Sequence, residues 1–202
     1  MSLASVSRPT FWIVAGPNGS GKSTLYGQTD IEGFGRSVWI TNPDLLTARL
    51  RVAEGLAPEA ANGTALDRIW DWLQASIDAH QTVGVETVLS TDKYRGLVLR
   101  AKKRGFEFRL LFVTLRTAEQ NIERVRLRVA QGGHDVPEEK LRSRRQRSFE
   151  QLPWFLDQAD FALIYDNSGA APTLIGQKVG GLIEIDPRAP QEIKAAIDTI
   201  KD

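Results

Sequence analysis

GPNGSGKST, residues 16–24, is the stretch that decides the fold of this 202-residue chain. Its first eight residues fit the pattern G-x-x-x-x-G-K-[ST], and they stand between an apolar run, FWIVA (11–15), and a helix predicted to start at Lys22. Glycines let successive backbone N–H groups curl around phosphate oxygens, and the helix N-terminus adds partial positive charge. The stretch therefore predicts a phosphate-binding loop (P-loop), with the nucleotide-binding residues Gly16, Pro17, Asn18, Gly19, Ser20, Gly21, Lys22, Ser23 and Thr24.

Two side chains of this loop carry specific chemistry. Lys22 is expected to reach the β- and γ-phosphates of a nucleotide, and the hydroxyl of Ser23 is expected to ligate Mg²⁺. Thr24 completes the motif and is expected mainly to pack the helix. The loop does not read the base, so the expected cofactor is ATP or GTP with Mg²⁺.

The rest of the chain alternates apolar strands with amphipathic helices. This order predicts an α/β fold, a three-layer P-loop NTPase with a mostly parallel sheet, and a single domain over residues 1–202. A helix after the third strand is expected to be N-capped by Ser90 or Thr91. The predicted strands are 11–15, 37–42, 82–89, 106–115, 161–166, 173–179 and 181–185, and the other predicted helices begin at 22 and 43 or span 64–79, 117–131, 138–151 and 189–200.

Composition excludes several classes of protein. The chain has no Cys, which removes disulfides and thiolate chemistry, and its two histidines are too few for the usual zinc site. The first ten residues have no apolar core, and no apolar run approaches the roughly 20 residues needed to span a bilayer. We expect a cytoplasmic enzyme with no membrane partner.

The kind of P-loop protein depends on residues outside the loop. The chain has neither the N-K-x-D motif of a GTPase nor an L-S-G-G-Q-type transporter signature. Three acidic residues, Asp44, Glu86 and Asp166, stand at or after predicted strands, where the sites of α/β proteins assemble. Each is a candidate for the carboxylate that directs the metal.

The segment RVRLRVAQGGHDVPEEKLRSRRQRS (124–148) favours a kinase-like domain. A kinase must keep water from the γ-phosphate and bring positive charge to the group in transfer, and a mobile arginine-rich lid does both. Two helices around a glycine pair, over about 117–151, suit that task. Arg124, Arg128, Arg142 and Arg145 are comparably spaced, but they could equally be solvated.

Five stretches together resemble the zeta-toxin-like family of small bacterial P-loop kinases, and in particular its short, stand-alone branch with a GGHxVP motif, often labelled as predicted ATPases. They occur in the family's order and cover most of residues 11–168. They are GPNGSGKST (16–24), TNPD (41–44), VETVLS (85–90), RVRLRVAQGGHDVPEEKLRSRRQRS (124–148) and YDNS (165–168).

The resemblance implies a role for each matching residue. Asp44 matches the catalytic base that accepts the proton of the substrate hydroxyl, and Glu86 matches the acidic residue that orients the acceptor sugar or the waters of the metal. His134 matches the His of GGHxVP, as a hinge residue or a direct substrate contact. The implied catalytic residues are Asp44, Lys22, Arg128, Arg144 and Arg147; the implied acceptor-binding residues are Asp44, Glu86, Thr87 and His134; the metal ligand is Ser23, with Glu86 as a second candidate; and Asn167 lies near the nucleotide.

The resemblance also implies a reaction, transfer of the γ-phosphate to a hydroxyl of a small anionic acceptor. A nucleotide sugar such as UDP-N-acetylglucosamine is the favoured acceptor, and an antitoxin protein is an implied partner. The alternative is an ATP-binding or ATPase module that acts on nucleic acid, because residues 101–150 carry 13 Lys or Arg against 7 Asp or Glu. We expect nucleic acid to be the less favoured partner, since most of the five tryptophans fall on predicted core positions.

Overall fold

The apolar run before the P-loop, residues 11–15, forms the central strand of the sheet. All residues of this run are buried, as in a parallel strand covered on both faces. The computed structural model describes residues 8–28, 38–133 and 135–201. These residues form strands β1 (Thr10–Ala15), β2 (Trp39–Thr41), β3 (Val83–Thr87), β4 (Glu107–Thr114), β5 (Phe161–Asp166), β6 (Thr173–Val179) and β7 (Leu182–Ile185), and helices α1 (Lys22–Gln28), α2 (Pro43–Ala53), α3 (Pro58–Asp78), α4 (Arg95–Lys103), α5 (Ala118–Ala130), α6 (Glu138–Gln158) and α7 (Gln191–Lys201).

The strands form one sheet in the order β2-β3-β1-β4-β5-β6-β7. The first five are parallel; β6 pairs antiparallel with β5, and β7 pairs antiparallel with β6. The register places Val14 beside Glu86 and Thr114 beside Asp166, so the ends of four parallel strands meet at the edge that carries the P-loop. This is the predicted α/β P-loop NTPase fold of the kinase-like type with a mostly parallel sheet.

The core has two layers because the side chains of β1 alternate between the faces of the sheet. Phe11 and Ile13 pack with apolar residues of α3, α4, α6 and α7 on one face. Trp12 and Val14 pack with Leu25 of α1 on the other. Helices therefore cover both faces, which gives the predicted three layers.

Two helix boundaries differ from the prediction by several residues. Helix α3 begins at Pro58, six residues earlier than predicted, because Pro58 at the first turn fits helical geometry. Helix α6 continues through Pro153 to Gln158, because Leu152 and Phe155 on either side of the proline are fully buried. None of the helices in the described ranges is long and apolar enough to cross a membrane.

The predicted cap of α4 is wrong. The residue before this helix is Tyr94, and its side chain makes no capping hydrogen bond. Residues 88–94 are instead held by packing, because Leu89 and Tyr94 are both almost fully buried, and Leu89 has a left-handed backbone with φ 62°. Trp39 is a second departure, since 74 % of it is exposed and it does not belong to the core.

Candidate active site

The P-loop follows β1 directly and ends in the first turn of α1. Gly16 has φ 138°, and a Cβ at this position would lie 2.0 Å from the carbonyl oxygen of Val113, so only glycine fits. Inside the loop, Lys22 Nζ donates hydrogen bonds to the carbonyl oxygens of Gly16 (2.8 Å) and Pro17 (3.1 Å). The lysine therefore lies across the concave side of the loop, where phosphate oxygens would be bound. Thr24 is exposed on α1 rather than packed in the core.

The ammonium group of Lys22 lies among charged side chains from three other elements. Its side chain is 7 % exposed, and Nζ lies 4.0 Å from Oε1 of Glu86. Burial lowers the pKa of Lys22 below its usual range; the carboxylates of Glu86 and Asp44 oppose this effect, and the guanidinium of Arg128 adds to it. The fold thus brings together four of the predicted site residues, from α1, α2, β3 and α5.

The other carboxylate oxygen of Glu86 is the acceptor of three hydrogen bonds. Oε2 accepts from Ser23 Oγ (2.7 Å), Tyr26 OH (3.0 Å) and Asn42 Nδ2 (2.9 Å). Burial and the neighbouring carboxylate of Glu86 raise the pKa of Tyr26 to about 12, so the phenol stays a donor near neutral pH. Sequence reasoning missed Tyr26 and Asn42, although Asn42 stands within the TNPD stretch.

The pair of Ser23 and Glu86 fits a magnesium site of the kind found in P-loop proteins. A hydroxyl and a carboxylate are the hard oxygen ligands that Mg²⁺ prefers, and Mg²⁺ usually keeps several waters and takes further oxygens from phosphates. The part of the chain that the structure describes has no group of three or more His, Asp or Glu that could hold a metal by itself. The donor set is therefore adequate for an ion that arrives with a nucleotide.

Asp44 lies in the first turn of α2, and its carboxylate is exposed. Asn42 caps this helix, because its Oδ1 accepts hydrogen bonds from the backbone N–H groups of Asp44 (2.9 Å) and Leu45 (3.2 Å). Thr87, the last residue of β3, uses its hydroxyl to accept a hydrogen bond from the N–H of Leu89 (3.1 Å). The structure thus gives Thr87 a backbone contact, and its predicted contact with an acceptor stays a prediction.

Asn167 closes the opposite side of the P-loop. Its Nδ2 donates to the carbonyl oxygen of Ser20 (2.8 Å), and its own carbonyl oxygen accepts from Arg124 Nη2 (2.7 Å). A second asparagine, Asn121 of α5, donates to the carbonyl oxygen of Asn18 (2.7 Å) and is buried. Both asparagines therefore hold the loop from outside, and Asn121 is a contact that sequence reasoning did not find.

Asp166 belongs to a different part of the site. Its carboxylate accepts hydrogen bonds from Arg116 Nε and the Ser168 N–H, both at 2.9 Å. Burial favours the neutral form, but the hydrogen bonds from Ser168 and Arg116 outweigh it, and the pKa of Asp166 falls below its usual value. The three residues line a shallow cavity of about 340 Å³ together with Gln120, Gly169 and Thr173. Of the three candidate carboxylates, Asp44 and Glu86 act on Lys22, and Asp166 does not.

The arginines of α5 and α6 have distinct environments. Arg126 pairs with Glu138, and Arg142 pairs with Glu119 at 2.8 Å, so these two arginines join the helices to each other. Arg144 is partly buried and Arg147 is exposed, and neither forms an ion pair within the described ranges. Position 134, the predicted hinge histidine, lies outside the described residues.

Arg145 is buried in the protein and lies away from solvent. Its guanidinium donates to Asn121 Oδ1 (3.2 Å), to the carbonyl oxygen of Arg116 (3.4 Å) and to Glu192 Oε1 of α7 (2.9 Å), and it stacks 4.7 Å from the centre of the Phe149 ring. Arg145 therefore supports the P-loop through Asn121.

Comparison with known proteins gives a fold and a family. No curated protein sequence matches the chain. The structure of AvrRxo1-ORF1:-ORF2 with ATP is similar at a TM-score of 0.70 and 15 % identity, over 98 % of this chain and 64 % of that one, so the chain spans less than two thirds of its length. The PezAT toxin–antitoxin system of Streptococcus pneumoniae has a TM-score of 0.64 and 15 % identity, over 98 % and 86 % of the two chains. The Pnkp1/Rnl/Hen1 RNA repair complex has a TM-score of 0.55 and 16 % identity, over 74 % and 48 %.

A family model described as an AAA domain matches residues 11–152. The matched range begins in β1, contains the whole P-loop and ends within α6, so it includes Asp44, Glu86 and the arginines discussed above. With well over half of its length matched, the chain belongs to the AAA domain family.

Proposed function

We propose that this protein is an ATP-dependent phosphotransferase that moves the γ-phosphate of ATP to a hydroxyl of a small anionic acceptor. The observation that carries the proposal is the buried Lys22, whose Nζ lies 4.0 Å from the carboxylate of Glu86. The charges of Asp44 and Arg128, from two other elements, are close enough to shift its pKa, and the carboxylate of Asp44 is exposed. A carboxylate in that place suits the removal of a proton from an attacking hydroxyl.

Each residue has a defined part in the proposed reaction. Asp44 accepts the proton of the acceptor hydroxyl, while Lys22 and Arg128 place positive charge around the transferred group. Ser23 and Glu86 would hold Mg²⁺, which would offset part of the negative charge of the phosphates. The proposed lid is helices α5 and α6, and its Arg144 and Arg147 would bring further positive charge to the phosphates.

The use of the positive charge favours phosphate transfer over nucleic-acid binding. Arg126 and Arg142 are neutralised by glutamates of the neighbouring helix, and Arg145 is buried. Part of the positive charge of residues 101–150 is therefore paired with carboxylates at the surface or buried. Less of this charge is presented to a polyanion than the sequence indicates.

The acceptor that we propose is a nucleotide sugar such as UDP-N-acetylglucosamine, on the basis of the resemblance of TNPD, VETVLS and the GGHDVP segment to zeta-toxin-like kinases. The similar fold of a complex that contains ATP supports ATP as the donor, and the similar fold of a toxin–antitoxin system supports an antitoxin partner. A protein partner that acts as an antitoxin belongs to this proposal. Its simplest action would be to cover the nucleotide site.

Incubation with γ-labelled ATP, Mg²⁺ and a panel of sugar nucleotides tests the proposal, with products identified by mass spectrometry. We expect one member of the panel to gain one phosphate. Loss of ATP without a phosphorylated product would show a hydrolase instead, and binding of DNA or RNA that weakens steeply with salt would favour the nucleic-acid alternative.

Asp44→Asn gives a direct test of the base. Transfer should fall roughly 10²- to 10⁴-fold, because the amide cannot accept the proton, while nucleotide affinity should stay within a factor of about three. The kinetic constants and calorimetric ATP binding are the measurements. Full transfer by the variant would remove Asp44 from the mechanism.

A further inference from the structure

Asn42 joins two parts of the proposed site that the sheet alone holds only weakly together. Asp44 lies on α2, which follows the short edge strand β2, and β2 pairs with β3 over only Trp39–Thr41. The P-loop follows β1, which is separated from β2 by β3 in the sheet. A three-residue edge strand is a loose attachment for a residue that must meet a phosphate within a fraction of an ångström.

The two ends of the Asn42 side chain contact the two parts. Nδ2 donates to Glu86 Oε2 at 2.9 Å, and Oδ1 accepts from the N–H groups of Asp44 and Leu45. Glu86 is itself fixed, because its side chain is 13 % exposed and its oxygens contact Lys22 and Ser23. The first turn of α2 is thus tied through one side chain to the carboxylate beside the P-loop.

We propose that Asn42 is a positioning residue, which sets the place of Asp44 relative to the P-loop by linking the start of α2 to Glu86. The inference rests on the proposed function for the role of Asp44. It differs from simple helix capping, which needs only the oxygen of Asn42. The amide nitrogen is the group that capping leaves unused.

Two substitutions separate capping from positioning. Asn42→Ser keeps a good capping oxygen but is too short to donate to Glu86. Asn42→Asp also keeps a capping oxygen but replaces the donor with a second carboxylate, which repels Glu86. Asn42→Ser should retain the thermal midpoint of the native protein to within a few degrees.

The kinetic expectation is a fall in kcat on the order of 10²-fold for Asn42→Ser, with the KM for ATP unchanged. Asn42→Asp should be at least as slow, because its carboxylate cannot donate a hydrogen bond to Glu86. Native kcat in either variant would overturn the proposal.

A second measurement does not depend on phosphate transfer. Mn²⁺ with a non-hydrolysable ATP analogue, bound at the P-loop, should broaden the amide resonances of Asp44 and Leu45 in the native protein and broaden them less in Asn42→Ser. Thr41→Val is the matched control, because it removes the hydrogen bond from Thr41 Oγ1 to the carbonyl oxygen of Gly84 (3.2 Å) one residue before Asn42 without removing a donor to Glu86, and it should leave that broadening unchanged.

The two measurements fail in distinguishable ways. Equal broadening in the native protein and Asn42→Ser overturns the positioning role even when the native enzyme transfers phosphate. Native broadening that Asn42→Ser reduces, together with no transfer to any acceptor, supports the positioning role and removes the proposed reaction. No broadening in the native protein removes the nucleotide from this site, and both proposals with it.

Discussion

Replacing Arg145 with methionine should destabilise the protein by roughly 3 kcal/mol, although the sequence places this arginine in a run that reads as a solvated helix face. Two hydrogen bonds dominate the estimate, to Asn121 (3.2 Å) and to Glu192 (2.9 Å). The first is buried and has a charged donor, so it contributes about 2 kcal/mol, including the cost of leaving the oxygen of Asn121 without its donor. Glu192 is 44 % exposed, so solvent screening limits the second to about 1 kcal/mol.

Urea unfolding followed by circular dichroism is the assay. With a slope of about 2 kcal/mol per molar urea, the midpoint should fall by about 1.5 M. Nucleotide affinity should also fall, because Asn121, freed from Arg145, holds the carbonyl oxygen of Asn18 less firmly. Methionine keeps most of the apolar stem, so the loss reports the guanidinium and not a cavity.

Arg147→Met is the matched control, two residues along the same helix. Arg147 is exposed and has no ion pair within the described ranges, so its loss should change the free energy of unfolding by less than about 0.5 kcal/mol. If Arg147 belongs to the lid, phosphate transfer should fall roughly 10³-fold in the same variant. A destabilisation below about 1 kcal/mol for Arg145→Met would refute the reasoning from burial.

Three further predictions concern stability. Gly63→Ala, within α3 and with nothing within 4 Å of the added Cβ, should stabilise the protein by about 1 kcal/mol in urea unfolding. Gly16→Ala should yield little folded protein at equal expression, since its Cβ would meet the carbonyl oxygen of Val113 at 2.0 Å. Burial raises the pKa of Tyr94 from 10.0 to about 12. Its folded form therefore holds the proton more tightly, and its contribution is complete below pH 10 and is lost as the pH rises to about 12. The native protein should lose roughly 3 kcal/mol of its free energy of unfolding over that pH range, and Tyr94→Phe should not. An equal alkaline loss in both proteins would contradict the assignment.

The P-loop and the order of strands and helices could be predicted because each has a local signal. The pattern from Gly16 to Ser23 involves only one loop of the backbone, and few structures other than a phosphate-binding loop require it. Alternation of apolar strands with amphipathic helices likewise limits the fold to a mostly parallel sheet with helices on both faces. The carboxylates were harder to assign, because Asp44, Glu86 and Asp166 all lie at or just after the ends of strands, and only the strand order tells which of them lies beside the loop.

The number of arginines on α6 does not tell which of them is buried, but their spacing relative to the apolar residues does. Leu141, Arg145, Phe149 and Leu152 are buried, and their spacing of three and four residues is that of one helix face. Arg145 stands on this face, and Arg147 does not. Reading the arginines by helical phase relative to the apolar residues would have assigned Arg145 to the interior.

The glycine pair before position 134 ends α5 and packs against Arg128. Gly132 has φ 88°, the left-handed conformation that commonly ends a helix, and its N–H donates to the carbonyl oxygen of Val129 at 2.9 Å. Gly133 turns back onto α5, where a Cβ would lie 2.7 Å from Cγ of Arg128 and 2.9 Å from its carbonyl oxygen. The backbone at Gly133 therefore packs against the stem of the arginine whose charge acts on Lys22. The first glycine ends the helix, and the second leaves room for Arg128 while its N–H donates to the carbonyl oxygen of that arginine (2.9 Å), so the pair completes the C-terminal hydrogen bonds of α5.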